Sequence, residues 1–220
     1  MIGLRVDVLT IFPDFFREFG RTSLVGRAQR AGILDVATHD LRAWAKPPQR
    51  RTDDYAYGGG PGMVMRPDVV DRALDHVKIG LGDESLPILY MTPRGSPLTQ
   101  ARVRSLSSGS GVLIVCARYE GLDERVIEAW EMEELSLGDY ILSGGEIGAF
   151  VLIDAIVRLI PGVIGNSKSL PEETFEKNLL ESPQYTKPQK WEKKEVPEVL
   201  LSGDHAKIKA WRLSQSRDIT

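Results

Sequence analysis

Along the chain, apolar and polar positions alternate between two periods. Short, nearly continuous apolar runs read as strands: LRVDVLTIF (4–12), ILDVATHDL (33–41), LPILYMT (86–92), GVLIVCA (111–117) and MEELSL (132–137). Between them lie stretches with helical spacing. DFFREFGRTSLVGRAQRAG (14–32) is helical but broken near Gly20, with Ser23 as a candidate cap. RPDVVDRALDHVKI (66–79) is amphipathic and carries Pro67 in its first turn, and SPLTQARVRSLSS (96–108) and LDERVIEAW (122–130) follow. An apolar helix of four turns begins just after Gly144-Gly145, and residues 47–63, rich in Pro and Gly, read as a loop.

Apolar strands alternating with helices predict an α/β fold with a mostly parallel sheet and helices on both faces. In such sheets ligands bind beyond the carboxyl ends of the strands. Three of those ends share an unusual texture: YMTPRG, CARYEG and LGDYILSGGE are polar or glycine-bearing where a plain connection would suffice. After Pro161-Gly162 the composition shifts. The polar stretch VIGNSKSLPEETF (163–175) reads as a linker, and the more basic remainder contains one convincing helix, DHAKIKAWRLSQS (204–216), capped by Asp204. The expected division is a main domain 1–161, a linker 162–175 and a small, mainly helical C-terminal domain 176–220.

With 220 residues, 42% hydrophobic and 27% charged, the chain is composed like a globular protein and not a disordered one. No basic leader precedes an apolar run, and no run reaches membrane-spanning length, so the cytoplasm is the expected compartment. The single cysteine, Cys116, lies in a buried run and reads as a core thiol. His39, His76 and His205 lack metal-ligand spacing and read as surface or capping residues, so no structural zinc is expected. A net charge of −3 argues against a surface coated for nonspecific nucleic-acid binding. Local basic segments remain: Arg42, Lys46, Arg50 and Arg51 in one loop, and Lys187, Lys190, Lys193 and Lys194 near the end.

Several residues carry candidate chemistry. Gly144 and Gly145 suit either a plain turn or a close approach of backbone to ligand. YGGGPGM (57–63) suits either a tight surface turn or a loop that closes over a ligand. Glu120 is either a capping carboxylate or a carboxylate in a cleft. Arg158, near the end of an otherwise apolar helix, satisfies the helix dipole and also invites an anion. Glu172 and Glu173 are acids in the linker. Neither familiar phosphate loop is present, which disfavours a nucleotide-hydrolysing enzyme.

Taken in order, YGGGPGM, CARYEGLDERV, SLGDYILSGGE, RLIPGVIGN and LLSGDH resemble the bacterial tRNA (guanine-N1)-methyltransferases of the SPOUT class, over essentially the whole chain. The resemblance implies a homodimer whose main domain holds a trefoil knot and binds S-adenosylmethionine. It implies cofactor contacts at Tyr90, Met91, Thr92, Pro93 and Gly95, at Ala117, at Leu137, Gly138, Asp139, Tyr140, Ile141 and Leu142, and at Gly144 and Gly145. It further implies Glu173 as general base, Arg158 as the cation near the guanine O6, Glu120 as an orienting carboxylate, and a magnesium ion. The implied substrate is a tRNA with guanosine just 3′ of the anticodon, contacted by Arg50, Arg51, Gly59 and Ser202. Two positions depart from the family pattern: Glu173 stands for the usual aspartate, and Ala117 for a glycine. Two other readings stay open, a SPOUT methyltransferase for another RNA position and a noncatalytic RNA-binding dimer.

Overall fold

The computed structural model describes residues 3–82, 86–164, 179–180 and 182–218. The chain divides into two compact units, Met1–Gly165 and Asn166–Thr220. In the first, β1 (Leu4–Thr10) is followed by α1 (Phe15–Phe19), α2 (Ser23–Arg30), β2 (Leu34–Asp40) and a single 3-10 turn, Leu41–Trp44. Next come β3 (Asp53–Tyr55), β4 (Met63–Met65), α3 (Pro67–Leu81), β5 (Ile88–Pro97), α4 (Gln100–Ser107) and β6 (Gly111–Val115). The unit closes with α5 (Glu124–Ala129), β7 (Glu133–Ser136) and α6 (Gly145–Leu159).

Five strands form one sheet in the order β2-β1-β6-β5-β7, and every pairing is parallel. The two-residue period of each strand divides the apolar side chains between two cores. Val6, Val8, Val112, Ile114, Leu89 and Met91 face one way and pack with residues of α2, α4 and α6. Leu9, Leu113, Val115, Ile88 and Tyr90 face the other and pack with residues of α3 and α5. Both faces are thus covered by helices, which is why the strands read as unbroken apolar runs.

Local signals explain most boundaries. Pro67 opens α3, and Gly82, in the left-handed conformation at φ 65°, ends it. The Thr99 side chain caps α4 through the Arg102 amide, and Asp123 caps α5 through the Arg125 amide. The candidate cap Ser23 is instead the first residue of α2, with φ 51°; Thr22 occupies the cap position without a side-chain hydrogen bond. Residues 47–63 are not all loop either, since β3 and β4 pair antiparallel with Asp53 opposite Met65 and Tyr55 opposite Met63. The glycine-rich segment is the tip of that hairpin.

His39 also departs from expectation. Its Nε2 stands 2.7 Å from Asp7 Oδ1, and Arg5 Nε donates to Asp7 Oδ2 at 2.8 Å. Asp7 is fully buried in β1, so His39 on the neighbouring strand satisfies an interior carboxylate. Burial alone would raise the Asp7 pKa, but the hydrogen bonds from His39 and Arg5 outweigh it and hold the carboxyl below its ordinary value.

In the second unit, β8 (Leu179–Leu180) pairs antiparallel with β11 (Arg217–Asp218), and β9 (Lys190–Trp191) with β10 (Lys194–Glu195). Two helices lie between β10 and β11: α7 (Glu198–Leu201) and α8 (His205–Gln215). Asp204 caps α8 as expected, accepting from the Ala206 and Lys207 amides at 3.1 Å. Most of the linker 162–175, with Glu172 and Glu173, lies outside the described residues. Among the described residues, no helix is long and apolar enough to cross a membrane.

Candidate active site

Three chain segments, the irregular middle of β5 and the stretches at the carboxyl ends of β6 and β7, meet and enclose a cavity of about 230 Å³. The β5 wall consists of Tyr90, Met91, Thr92 and Pro93. The pairing of β5 with β7 shifts register between Met91 and Ser96, so the chain bows outward there and leaves room beside the strand. Gly95 lies inside that irregularity and does not line the cavity. A Cβ on it would come within 2.4 Å of the Glu134 carbonyl carbon and the Leu135 nitrogen, so its role is to let β5 lie against β7.

The β6 wall comprises Ala117 together with Tyr119, Glu120 and Gly121. Glu120 is exposed at the rim, and its backbone amide donates to the Met63 carbonyl at 3.0 Å. Gly62, with φ 92°, lies directly under its carboxylate: a Cβ there would fall 2.5 Å from Oε1. The β3–β4 hairpin therefore docks on the Glu120 loop, and the Met65 amide donates to the Gly121 carbonyl at 2.9 Å. Tyr90 closes this corner from below, its hydroxyl accepting from the Leu122 amide at 3.4 Å. Burial pushes the Tyr90 phenol above its ordinary pKa, which keeps it neutral.

The third wall is the turn after β7. Leu137, Gly138, Tyr140, Ile141 and Leu142 line it, followed by Gly144 and Gly145. Asp139 lies within this turn without lining the cavity. The Ser136 hydroxyl shapes the turn by accepting the Gly138 amide at 3.2 Å. Gly144 is extended, at φ 174°, a conformation open to any residue; what excludes a side chain is Arg118, whose Nε would be 2.3 Å from a Cβ. The glycine pair thus brings the turn against the β6 loop, where the Gly145 amide donates to the Ala117 carbonyl at 2.9 Å.

Sequence reasoning overlooks Tyr119, Gly121, Leu135, Ser136 and Gly148, all of which line the cavity. Tyr119, Gly121 and Ser136 adjoin residues singled out from the sequence, Leu135 is two residues before Leu137, and Gly148 is one helical turn beyond Gly145, so spacing alone could have suggested them. Among the described lining residues there is no Lys, Arg or His, and the one carboxylate is Glu120. Such a lining suits an aromatic ring and a cationic group and offers nothing to a phosphate chain.

Arg158 is not in this cavity. It is half-buried in the last turn of α6, thirteen residues beyond Gly145, which is about 20 Å along the helix. Arg50 and Arg51 are exposed before the β3–β4 hairpin, Gly59 is exposed at its tip, and Ser202 is exposed at the end of α7, its hydroxyl donating to the Val199 carbonyl. Cys116 is buried, and burial, reinforced by nearby Glu146, pushes its thiol well above its ordinary pKa, as a core cysteine requires. Among the described residues, no group of three or more His, Cys, Asp or Glu side chains fits a metal ion.

The family described as tRNA (Guanine-1)-methyltransferase TrmD matches residues 4–220. The chain belongs to this family. Curated relatives include the tRNA (guanine-N(1)-)-methyltransferases of Brucella ovis and Brucella melitensis biotype 1, each 52% identical over 214 residues, covering 97% of this chain and 87% of the relative. That of Brucella suis (strain ATCC 23445 / NCTC 10510) is also 52% identical over 214 residues, covering 97% of this chain and 86% of its own length.

Proposed function

We propose that this protein transfers a methyl group from S-adenosylmethionine to N1 of the guanosine immediately 3′ of the anticodon in tRNA. The observation that carries the reading is the cavity lining: apolar walls, small residues and a single carboxylate, with no cation to hold phosphate. When bound, S-adenosylmethionine supplies a methyl group on a positively charged sulfur. Leu135, Leu137, Ile141 and Leu142 provide the apolar slot for its adenine, and Glu120 at the rim favours the positive charge nearby. The closely packed walls at Gly144, Gly145 and Gly148 would hold the donor by backbone contact when it is bound.

Guanine N1 carries a proton at neutral pH and is a poor nucleophile. As the new C–N bond forms, a carboxylate must take that proton, and Glu173 in the linker has this role. The electron pair of the breaking S–C bond stays on sulfur, leaving a neutral thioether. Negative charge gathering on O6 is met by Arg158, and Glu120 orients the base. The distance of Arg158 from its own chain's cavity makes a second copy its natural partner. Ile147 and Val151, one turn apart on the outer face of α6, are exposed apolar residues that a homodimer would cover. In this reading the main domain 1–161 carries the knot, the linker 162–175 brings in the base, and residues 176–220 bind tRNA together with Arg50, Arg51, Gly59 and Ser202. No step is assigned to the magnesium ion that the resemblance implies.

The test is incorporation of labelled methyl into unmodified tRNA with guanosine after the anticodon, comparing the native chain with Glu173→Gln. Methylation at N1 that disappears in the variant supports both the reaction and its base. Full activity in the variant transfers the role to another group, Glu172 first. Donor and tRNA binding without methylation by the native chain would instead favour a noncatalytic RNA-binding dimer.

A further inference from the structure

One buried acid stands behind the cavity, where the end of β1 and the loop after β6 meet the start of α6. Glu146, in the first turn of α6, is 1% exposed, a rare placement for a carboxylate. Its Oε1 accepts a 2.8 Å hydrogen bond from the Thr10 hydroxyl at the end of β1. Its Oε2 is 3.0 Å from Arg118 Nε, in the loop after β6, and neither of these two atoms has a hydrogen-bond partner among the described residues. Arg118 is held in turn: it lies over the Phe12 ring at 4.6 Å, and its Nη1 donates to the Ser143 carbonyl at 3.1 Å. The Thr10 hydroxyl also accepts the Phe12 amide at 2.9 Å.

The cluster therefore joins the end of β1, the loop after β6 and the glycine turn before α6. None of Thr10, Arg118 or Glu146 lines the cavity, but Ala117, Tyr119, Gly144 and Gly145 beside them do. Removing the Glu146 carboxylate and much of the Arg118 side chain, 22% exposed, from water is costly, by up to several kcal/mol for a fully buried ion, and an apolar pair of similar volume would pack as well or better. Stability alone gives no reason for charge here. Geometry does: the pair fixes Arg118, and Arg118 fills the space over Gly144 that a side chain would otherwise take.

We propose that Glu146 and Arg118 are positioning residues that set the spacing between the Ala117–Tyr119 wall and the Gly144–Gly145 wall for the methyl donor. The proposal rests on the reading of the cavity as the S-adenosylmethionine site. The charged latch acts on donor binding and leaves the tRNA surface alone.

The experiment measures S-adenosylmethionine binding by calorimetry, together with KM for each substrate, kcat and thermal unfolding, for the native chain, Glu146→Gln and Arg118→Lys. Glu146→Gln preserves shape and the acceptor for Thr10 while leaving Arg118 without its counter-charge. Donor affinity should fall about tenfold, the effect of a buried Arg118 Nε losing the carboxylate charge that faces it at 3.0 Å. The tRNA KM should not change, and saturating donor should restore most of kcat. Arg118→Lys keeps the charge without the planar fork and should fall between the two. Should Glu146→Gln fail to fold, Arg118→Lys alone decides. Donor affinity within twofold of native in the folded variants overturns the proposal, as does a loss shared equally by donor binding, tRNA binding and unfolding temperature. A native chain that binds no S-adenosylmethionine removes the cavity reading itself, a result distinct from native binding with unaffected variants.

Discussion

Gly62 supplies a direct test of how the glycine-rich hairpin acts on the active site. A Cβ added there would lie 2.5 Å from Glu120 Oε1, 2.7 Å from its Cγ and 3.0 Å from its Cδ. Ordinary contact begins at 3.4 Å, so the carboxylate must retreat by 0.9 Å, the difference between 3.4 and 2.5. Glu120 is exposed and its side chain flexible, so this movement costs little stability. With Glu120 in the orienting role proposed above, catalysis would lose much more, because displacing a positioning group by about 1 Å lowers rate on the order of a hundredfold. Gly62→Ala also carries a backbone penalty at φ 92°, about 1–2 kcal/mol. Gly60→Ala isolates that penalty: Gly60 has φ 112°, and a Cβ on it would meet nothing within 4 Å, so it shares the strain without the collision. Single-turnover methyl transfer and urea unfolding should be measured on both. The expected result is similar destabilisation in the two variants, with the rate lost about a hundredfold only in Gly62→Ala. Equal rates, or equal losses, would refute the claim that Gly62 makes room for a working Glu120.

Three further outcomes follow from the interior. The Asp7 pKa is lowered on folding, so its carboxylate stabilises the fold above the unfolded-state value of about 3.9, and the contribution fades as pH falls through the lower folded value. His39→Phe removes one of the two groups that lower it, and acid unfolding followed by circular dichroism should shift to higher pH; an unchanged midpoint would deny His39 that role. Leu152→Ala, at a fully buried position of α6, should destabilise the first unit by about 2–5 kcal/mol in urea unfolding, and a change below about 1 kcal/mol would mean the core collapses around the gap. Cys116, buried and with its thiol pKa raised, should resist Ellman's reagent in the native protein and react fully in denaturant; stoichiometric native labelling would contradict its burial.

Much of the architecture is legible because burial on both faces leaves a plain trace. GVLIV needs no partner to read as an interior strand, and Pro67 and Asp204 mark helix starts through a fixed φ or local hydrogen bonding. Relations across long sequence separations are not legible. Glu146 looks like an ordinary first-turn acid until Thr10, 136 residues earlier, is found against it. His39 reads as a surface residue because its partner Asp7 belongs to a different strand. Gly144 is instructive: from sequence it suits a plain turn or a close approach to a ligand, and in the folded chain it lines the cavity while Arg118 takes the space a side chain would need. Arg158 stands out from sequence as unusual in an apolar helix, but its distance from the cavity depends on the direction in which α6 runs.

The cavity takes its walls from segments that begin at Tyr90 and end at Gly148, carried by three strands adjacent to one another in the sheet or joined to it by α6. No shorter stretch of the chain contains all the described lining residues of the cavity. During synthesis, a nascent chain must therefore expose Gly148 beyond the ribosome and bring β5, β6 and β7 together before it can hold a ligand there. Ligand capture by a growing chain would then mark the moment at which its sheet is complete.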